Sequence, residues 1–132
     1  MKRRLKGKGE VDYDYAHDIL HFKVKDRDYW KSLELENLVV DLDKERYVVG
    51  LQIFDASAFL SSKTLRVTKM MLRDVTGWTL DAEITEDGNL ILKLNFNVKL
   101  RNKTISCSPS LVRQLTEHLP ASASEAVCLA AS

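Results

Sequence analysis

Apolar and polar residues alternate with a period of two along most of this chain. Successive side chains of a strand point to opposite faces, so the pattern restricts the chain to half-buried β-strands. Val11, Tyr13 and Tyr15 alternate with Asp12 and Asp14, and Leu20, Phe22 and Val24 alternate with His21, Lys23 and Lys25. Bringing both apolar sets to one face requires a loop with an even number of residues. A tight turn at His17-Asp18 predicts Tyr15 opposite Leu20, Tyr13 opposite Phe22 and Val11 opposite Val24. On the other face Asp14, Asp12 and Glu10 would meet His21, Lys23 and Lys25.

Two further hairpins follow the same logic. Strand signals run from about Leu33 to Leu42 and from Tyr47 to Phe54, with Leu38, Val40 and Leu42 expected to face Leu51, Val49 and Tyr47. The intervening Asp43-Lys44-Glu45-Arg46 has no glycine and suits a loop built on a type I turn. Trp78, Leu80, Ala82 and Ile84 are expected opposite Val98, Phe96, Leu94 and Leu92, with Glu83 meeting Lys93. That pairing needs an odd loop of about three or five residues around Asp87-Gly88-Asn89, with a glycine bulge. A short strand, Thr104 to Cys107, comes next.

The period changes elsewhere. Asp26 to Ser32, which includes Tyr29 and Trp30, reads as a polar connection. Asp55 to Leu60 reads as a helical turn capped by Asp55, and Thr68 to Val75 as a short helix capped by Thr68. Ser108-Pro109 offers a capping hydroxyl followed by proline at a first helical position, with Leu111, Val112, Leu115 and Leu119 on one helical face ending before Pro120. The expected fold class is therefore α+β: antiparallel β-hairpins forming a sheet, with two or three short helices including a C-terminal helix. A chain of 132 residues suits one β-rich domain over residues 1–119, with a basic arm at 1–9. Residues 120–132 form an Ala/Ser-rich tail, expected to be disordered or a weakly packed helix.

Charge is uneven. Five cations (Lys2, Arg3, Arg4, Lys6, Lys8) fall in the first eight residues, and setting them aside leaves 15 cations against 19 acids. Such an arm on an acidic body is the candidate nucleic-acid contact, although a frayed, solvated terminus explains it more cheaply. Hydrophobic residues at 45% and charged residues at 30% exclude a disordered chain. Two cysteines, Cys107 and Cys128, imply no disulfide framework. Without an apolar segment after the basic start or a membrane-length apolar run, a cytoplasmic protein with no membrane partner is expected.

From Val11 to Ser57 the ordered motifs Tyr13-Asp14, Asp18-Ile19-Leu20-His21-Phe22, Val39-Val40-Asp41-Leu42-Asp43 and Val49-Gly50-Leu51-Gln52-Ile53-Phe54-Asp55-Ala56-Ser57 resemble a small bacterial and archaeal family, domain of unknown function 2283. Longer archaeal members are similar in outline. The sequence departs from the family pattern at Gln52, where glutamate is usual, and at Arg46, where the turn usually carries glycine. The resemblance implies an antiparallel sheet and no established activity. Because some members are thought to be encoded beside small toxin-like proteins, it also implies an antitoxin-like role for those members.

The residues themselves offer little chemistry. Asp12, Asp14, Asp18, His17 and His21 are the densest potential metal ligands, but charge pairing and a turn account for them, so no metal is expected. Neither a nucleophile elbow nor a glycine-rich phosphate loop is present, and no catalytic residue or cofactor is expected. The row Lys93, Asn95, Asn97, Lys99 and Arg101, extended by Lys103, suits phosphate or solvent. Self-association is the favoured expectation. Val39, Val48 and Phe54 on a partly apolar hairpin face are interface candidates, as are Tyr29 and Trp30 in the polar connection, for which folding back over the core is the equal alternative. The expected function is a non-catalytic interaction module forming a homo-oligomer through a sheet face or edge. A small protein partner is also compatible, and the alternative is a nucleic-acid-associated or antitoxin-like regulator.

Overall fold

A computed structural model describes residues 3–61 and 65–130. Among them the elements in chain order are β1 (Arg3–Asp14), β2 (Ile19–Val24), β3 (Tyr29–Leu35), β4 (Leu38–Asp43), β5 (Val48–Ile53), α1 (Ala56–Leu60), α2 (Lys69–Arg73), β6 (Gly77–Ile84), β7 (Asn89–Leu100), β8 (Lys103–Cys107), β9 (Ser110–Gln114) and β10 (Ser122–Ala130). All ten strands join one sheet in the order β3-β4-β5-β2-β1-β10-β6-β7-β8, with β9 also on β7. The only parallel pair described is β1 with β10. This overturns the α+β expectation: the two helices described are five residues each, and no helix forms at the C-terminal end of the described chain.

The expected C-terminal helix is an edge strand. Phe96 pairs with Cys107 on β8 and Lys93 with Ser110 on β9, so one register runs through Ser108-Pro109. The Leu94 N–H donates to the Pro109 carbonyl at 3.0 Å. Proline lacks the N–H that a ladder needs, which confines it to an edge, and here it splits one edge strand into two. The Ala/Ser segment expected as a tail is β10, lying between β1 and β6. The basic arm, expected to fray, is the first half of β1, although Lys2 lies outside the described residues.

The first and third hairpins keep their expected faces and slip by two residues, whereas the second slips by two as far as a bulge that turns Val48, expected on the outer face, into the core opposite Leu42. Tyr13 pairs with Leu20 and Val11 with Phe22, because the turn spans Tyr15 to Asp18 rather than two residues. Leu38 pairs with Ile53 and Val40 with Leu51, with a bulge leaving Val49 unmatched between Val48 and Gly50. Arg46 N–H bonds the Asp43 carbonyl at 3.0 Å, the closure of a four-residue turn, and Arg46 then takes a φ of 71°. Ile84 pairs with Leu90 and Trp78 with Phe96, while the bulge glycine is Gly88 at φ 87°. The stretch read as a connection, Tyr29 onward, is β3, joined to β4 by the two-residue turn Glu36-Asn37.

The sheet is strongly curled. Phe22 on β2 and Trp78 on β6 are three strand spacings apart, about 14 Å on a flat sheet, yet their ring centroids lie 5.4 Å apart, edge to face. Trp78 continues onto Phe96 at 4.2 Å. Small residues at the bend permit this. The concave face of β1 and β10 carries Gly7, Gly9, Ser122, Ser124, Ala126 and Cys128. A Cβ on Gly9 would lie 2.6 Å from the Lys23 carbonyl oxygen and 2.8 Å from Cys128 Sγ. Ala56, Leu60, Val67, Leu72 and Val75 from the helices and their flanks join the core on this concave side. Thr68 caps α2 as expected, its Oγ1 accepting from Met71 N–H at 3.2 Å. Asp55 precedes α1 in the left-handed region without a side-chain cap.

Candidate interaction surface

The motifs that carry the family resemblance converge on two hydrogen-bonded joints. Asp18, at φ 56°, accepts from Tyr13 Oη at 2.6 Å, from Ser57 Oγ at 2.6 Å and from the Ser57 N–H at 3.1 Å, while its carbonyl accepts from the Ala56 N–H. The β1–β2 turn is thereby tied to the start of α1. Burial pulls the Asp18 carboxyl upward, but the bonds from Ser57 and Tyr13 outweigh it and hold the group below the ordinary carboxylate range. Burial and the bond to Asp18 push the Tyr13 phenol up.

Asp43 forms the second joint. It is buried, and it accepts from the Glu45 N–H at 3.0 Å, the Tyr47 N–H at 2.9 Å and Arg27 Nε at 2.8 Å. Both aspartates therefore have structural work that needs no ligand. Asp14 likewise closes its own turn by accepting from the His17 N–H at 3.1 Å. Among the described residues no three His, Cys, Asp or Glu side chains are grouped to hold a metal.

The interface candidates separate. Val48 is in the core, and Val39 and Phe54 are half-buried. Tyr29 and Trp30 are exposed on β3, where the Arg46 guanidinium stacks on the Trp30 ring at 3.7 Å and Lys31 Nζ lies 5.1 Å from it. Sequence reasoning missed a second exposed apolar pair. Val127 and Leu129, on the convex face of β10, are 54% and 63% exposed. They line a groove of about 840 Å³ together with Lys6, Lys8, Glu10 and Lys25. Alternation along Glu125 to Ala130 was the available signal, masked by the run of Ala and Ser around it.

The arm's cations also divide. Arg3 points to the concave side, where its Nη1 donates to the Glu45 carbonyl at 2.6 Å and its guanidinium stacks over Tyr47 at 4.7 Å. Arg4, Lys6 and Lys8 are exposed. Strand alternation puts all three on the convex face. Beside them Glu125 and Asp81 are directly paired across β10 and β6. Burial, then the Glu125 charge, raises the Asp81 carboxyl, opposed by Lys93. Of the cationic row on β7, Asn95 and Asn97 are engaged with Ser108 and Ser106. Both cysteines are free and buried, and burial pushes the Cys128 thiol up to about 11.

Residues 10–57 match the family model described as "Protein of unknown function (DUF2283)". A Methanosarcina mazei protein named "Putative hypoxanthine phosphoribosyltransferase" is 26% identical over 96 residues, covering 73% of each chain. The "Uncharacterized protein MJ0789" of Methanocaldococcus jannaschii is 30% identical over 110 residues, covering 82% of this chain and 88% of that one. No solved structure matches. Among the described residues, no helix is long and apolar enough to cross a membrane. Similarity across most of both chains, with the DUF2283 motifs serving as its structural joints, shows that the chain belongs to one family with the Methanocaldococcus jannaschii protein.

Proposed function

We propose that this chain is a non-catalytic interaction module that self-associates through the convex face of its sheet. The observation that carries the reading is the exposure of Val127 and Leu129 on a central strand, where a solvated face would carry polar residues. Their rim has both signs of charge, Glu10 beside Lys8 and Lys25. An isologous contact needs such a mixture, since each copy must offer what the other lacks. Two free, buried thiols fit a cytoplasmic setting. The activity in the Methanosarcina name has little to attach to: Gly7, Gly9, Gly50 and Gly77 lie in strands, and Gly88 is in a hairpin turn. Light scattering on a size-exclusion column at roughly ten times the micromolar range should show a dimer, and Leu129→Lys should give a monomer with an unchanged circular dichroism spectrum. A wild-type monomer at that concentration overturns the reading.

A second reading, a nucleic-acid-associated regulator, draws support from Arg4, Lys6 and Lys8 aligned on one face. Three phosphate contacts would give a log-log salt slope of about −2.7 on duplex DNA. Glu10, Glu125 and Asp81 on the same face weigh against it.

A further inference from the structure

The two neighbours of β1 do not cover it equally. β10 pairs with β1 from Arg3 to Val11, whereas β2 pairs with it only from Gly9 to Asp14. The last main-chain bond on the β2 side runs from the Lys25 N–H to the Lys8 carbonyl at 2.9 Å. Main-chain groups of successive strand residues point to opposite edges, so the direction of Lys8 fixes that of Arg4 and Lys6. Their N–H and C=O groups face away from β10, and among the described residues no strand meets them there. An open edge of this kind is a template for another strand.

The side chains along that edge restrict what can add to it. Arg4, Lys6 and Lys8 are exposed at two-residue spacing and form no ion pair among the described residues. A second copy of β1 would set cation against cation, and like charges directly opposite are destabilising. A nucleic acid would satisfy the cations but leave the edge carbonyls unmatched. We propose that the free edge at residues 3–7 takes an extended acidic peptide segment of another protein as an added antiparallel strand, its carboxylates at alternate positions beside Arg4, Lys6 and Lys8. The proposal does not depend on dimerisation, because the edge main-chain groups lie in the plane of the sheet; Lys6 and Lys8 do line the groove that holds Val127 and Leu129, so peptide and dimer are expected to compete.

The test uses a fluorescein-labelled octapeptide with Glu at alternate positions between Val and Thr, titrated into the full chain and followed by anisotropy. Binding is expected to weaken with added salt and to fall at least tenfold in the double variant Lys6→Glu, Lys8→Glu. Lys6→Pro should lose at least fivefold more than Lys6→Ala, since only proline also removes the edge N–H. Amide exchange provides a measurement on the unmodified chain: the Lys6 amide should exchange freely alone and slow at least tenfold with peptide, while Leu5 and Gly7 stay protected throughout. Leu129→Lys should leave peptide binding intact even as it abolishes the dimer. Absence of peptide binding, or binding without protection of the Lys6 amide, overturns the proposal. So does a peptide-inert protein that binds a twelve-nucleotide DNA strand with the same loss in the charge-reversed variant.

Discussion

Asp18 joins segments 39 residues apart in sequence through one carboxylate. Replacing it with Ala strands the Tyr13 and Ser57 donors and forces Ala into the left-handed region, a combined loss of about 2–3 kcal/mol at neutral pH. Asn tolerates that backbone and keeps one acceptor, so Asp18→Asn should lose about half as much. The folded carboxyl lies below its ordinary value, so its contribution is complete above the unfolded carboxylate range and fades as pH falls through the folded value. Urea unfolding at about pH 6 and about pH 3 should therefore show the wild-type advantage over Asp18→Asn shrinking in acid. Arg46 sits at φ 71°, where glycine would relieve roughly 1 kcal/mol, yet its guanidinium stacks on Trp30 for about 0.5–1 kcal/mol. Arg46→Gly should be nearly neutral in the wild type and stabilising by roughly 1 kcal/mol in a Trp30→Leu background. The aspartates of the motifs were visible in the sequence, but their partners were not, since Asp18 reaches Ser57 only after the sheet has formed.

The strands show how far periodicity reaches. Burial of one face fixes parity but is indifferent to a slip of two, so the first and third hairpins present the expected residues inward and slip by two, while the bulge at Val49 breaks parity in the second and sends Val48 into the core. Turn chemistry would have set the phase. However, Asp18, Asp26, Glu36, Arg46, Asp55 and Arg101 all occupy positive φ, and only Gly88 declares itself by residue type. β10 was illegible for a different reason: its concave side carries Ser, Ala and Cys because the curl leaves no room for larger groups, and small residues give no hydrophobic period. Ser108-Pro109 satisfies the grammar of a helix start and that of an interrupted edge strand equally well. Crowding at the bend is testable. Gly9→Ala should cost about 1–3 kcal/mol by thermal unfolding, whereas Gly77→Ala, whose Cβ would lie 3.8 Å from Leu129, should cost far less.

At the scale of the molecule, the curl brings the two ends of the strand order toward each other: Lys31 on edge strand β3 pairs with Glu117, beyond β9, at 2.7 Å. A chain ending at Pro120 would lack β10, the strand that bridges β1 to β6. Such a chain should show no cooperative thermal transition, and one that melts like the wild type would refute the central role given to β10. The exposed pair Val127 and Leu129 was hidden within the same unreadable segment, so the most informative surface lay where the pattern was weakest. The parallel pairing of β1 with β10 has a consequence for biosynthesis. Strand β1 finds β2 at once, but it must wait for more than a hundred further residues before its second neighbour, β10, exists. Until then the nascent chain holds two incomplete half-sheets, each with an unpaired edge where β10 will lie.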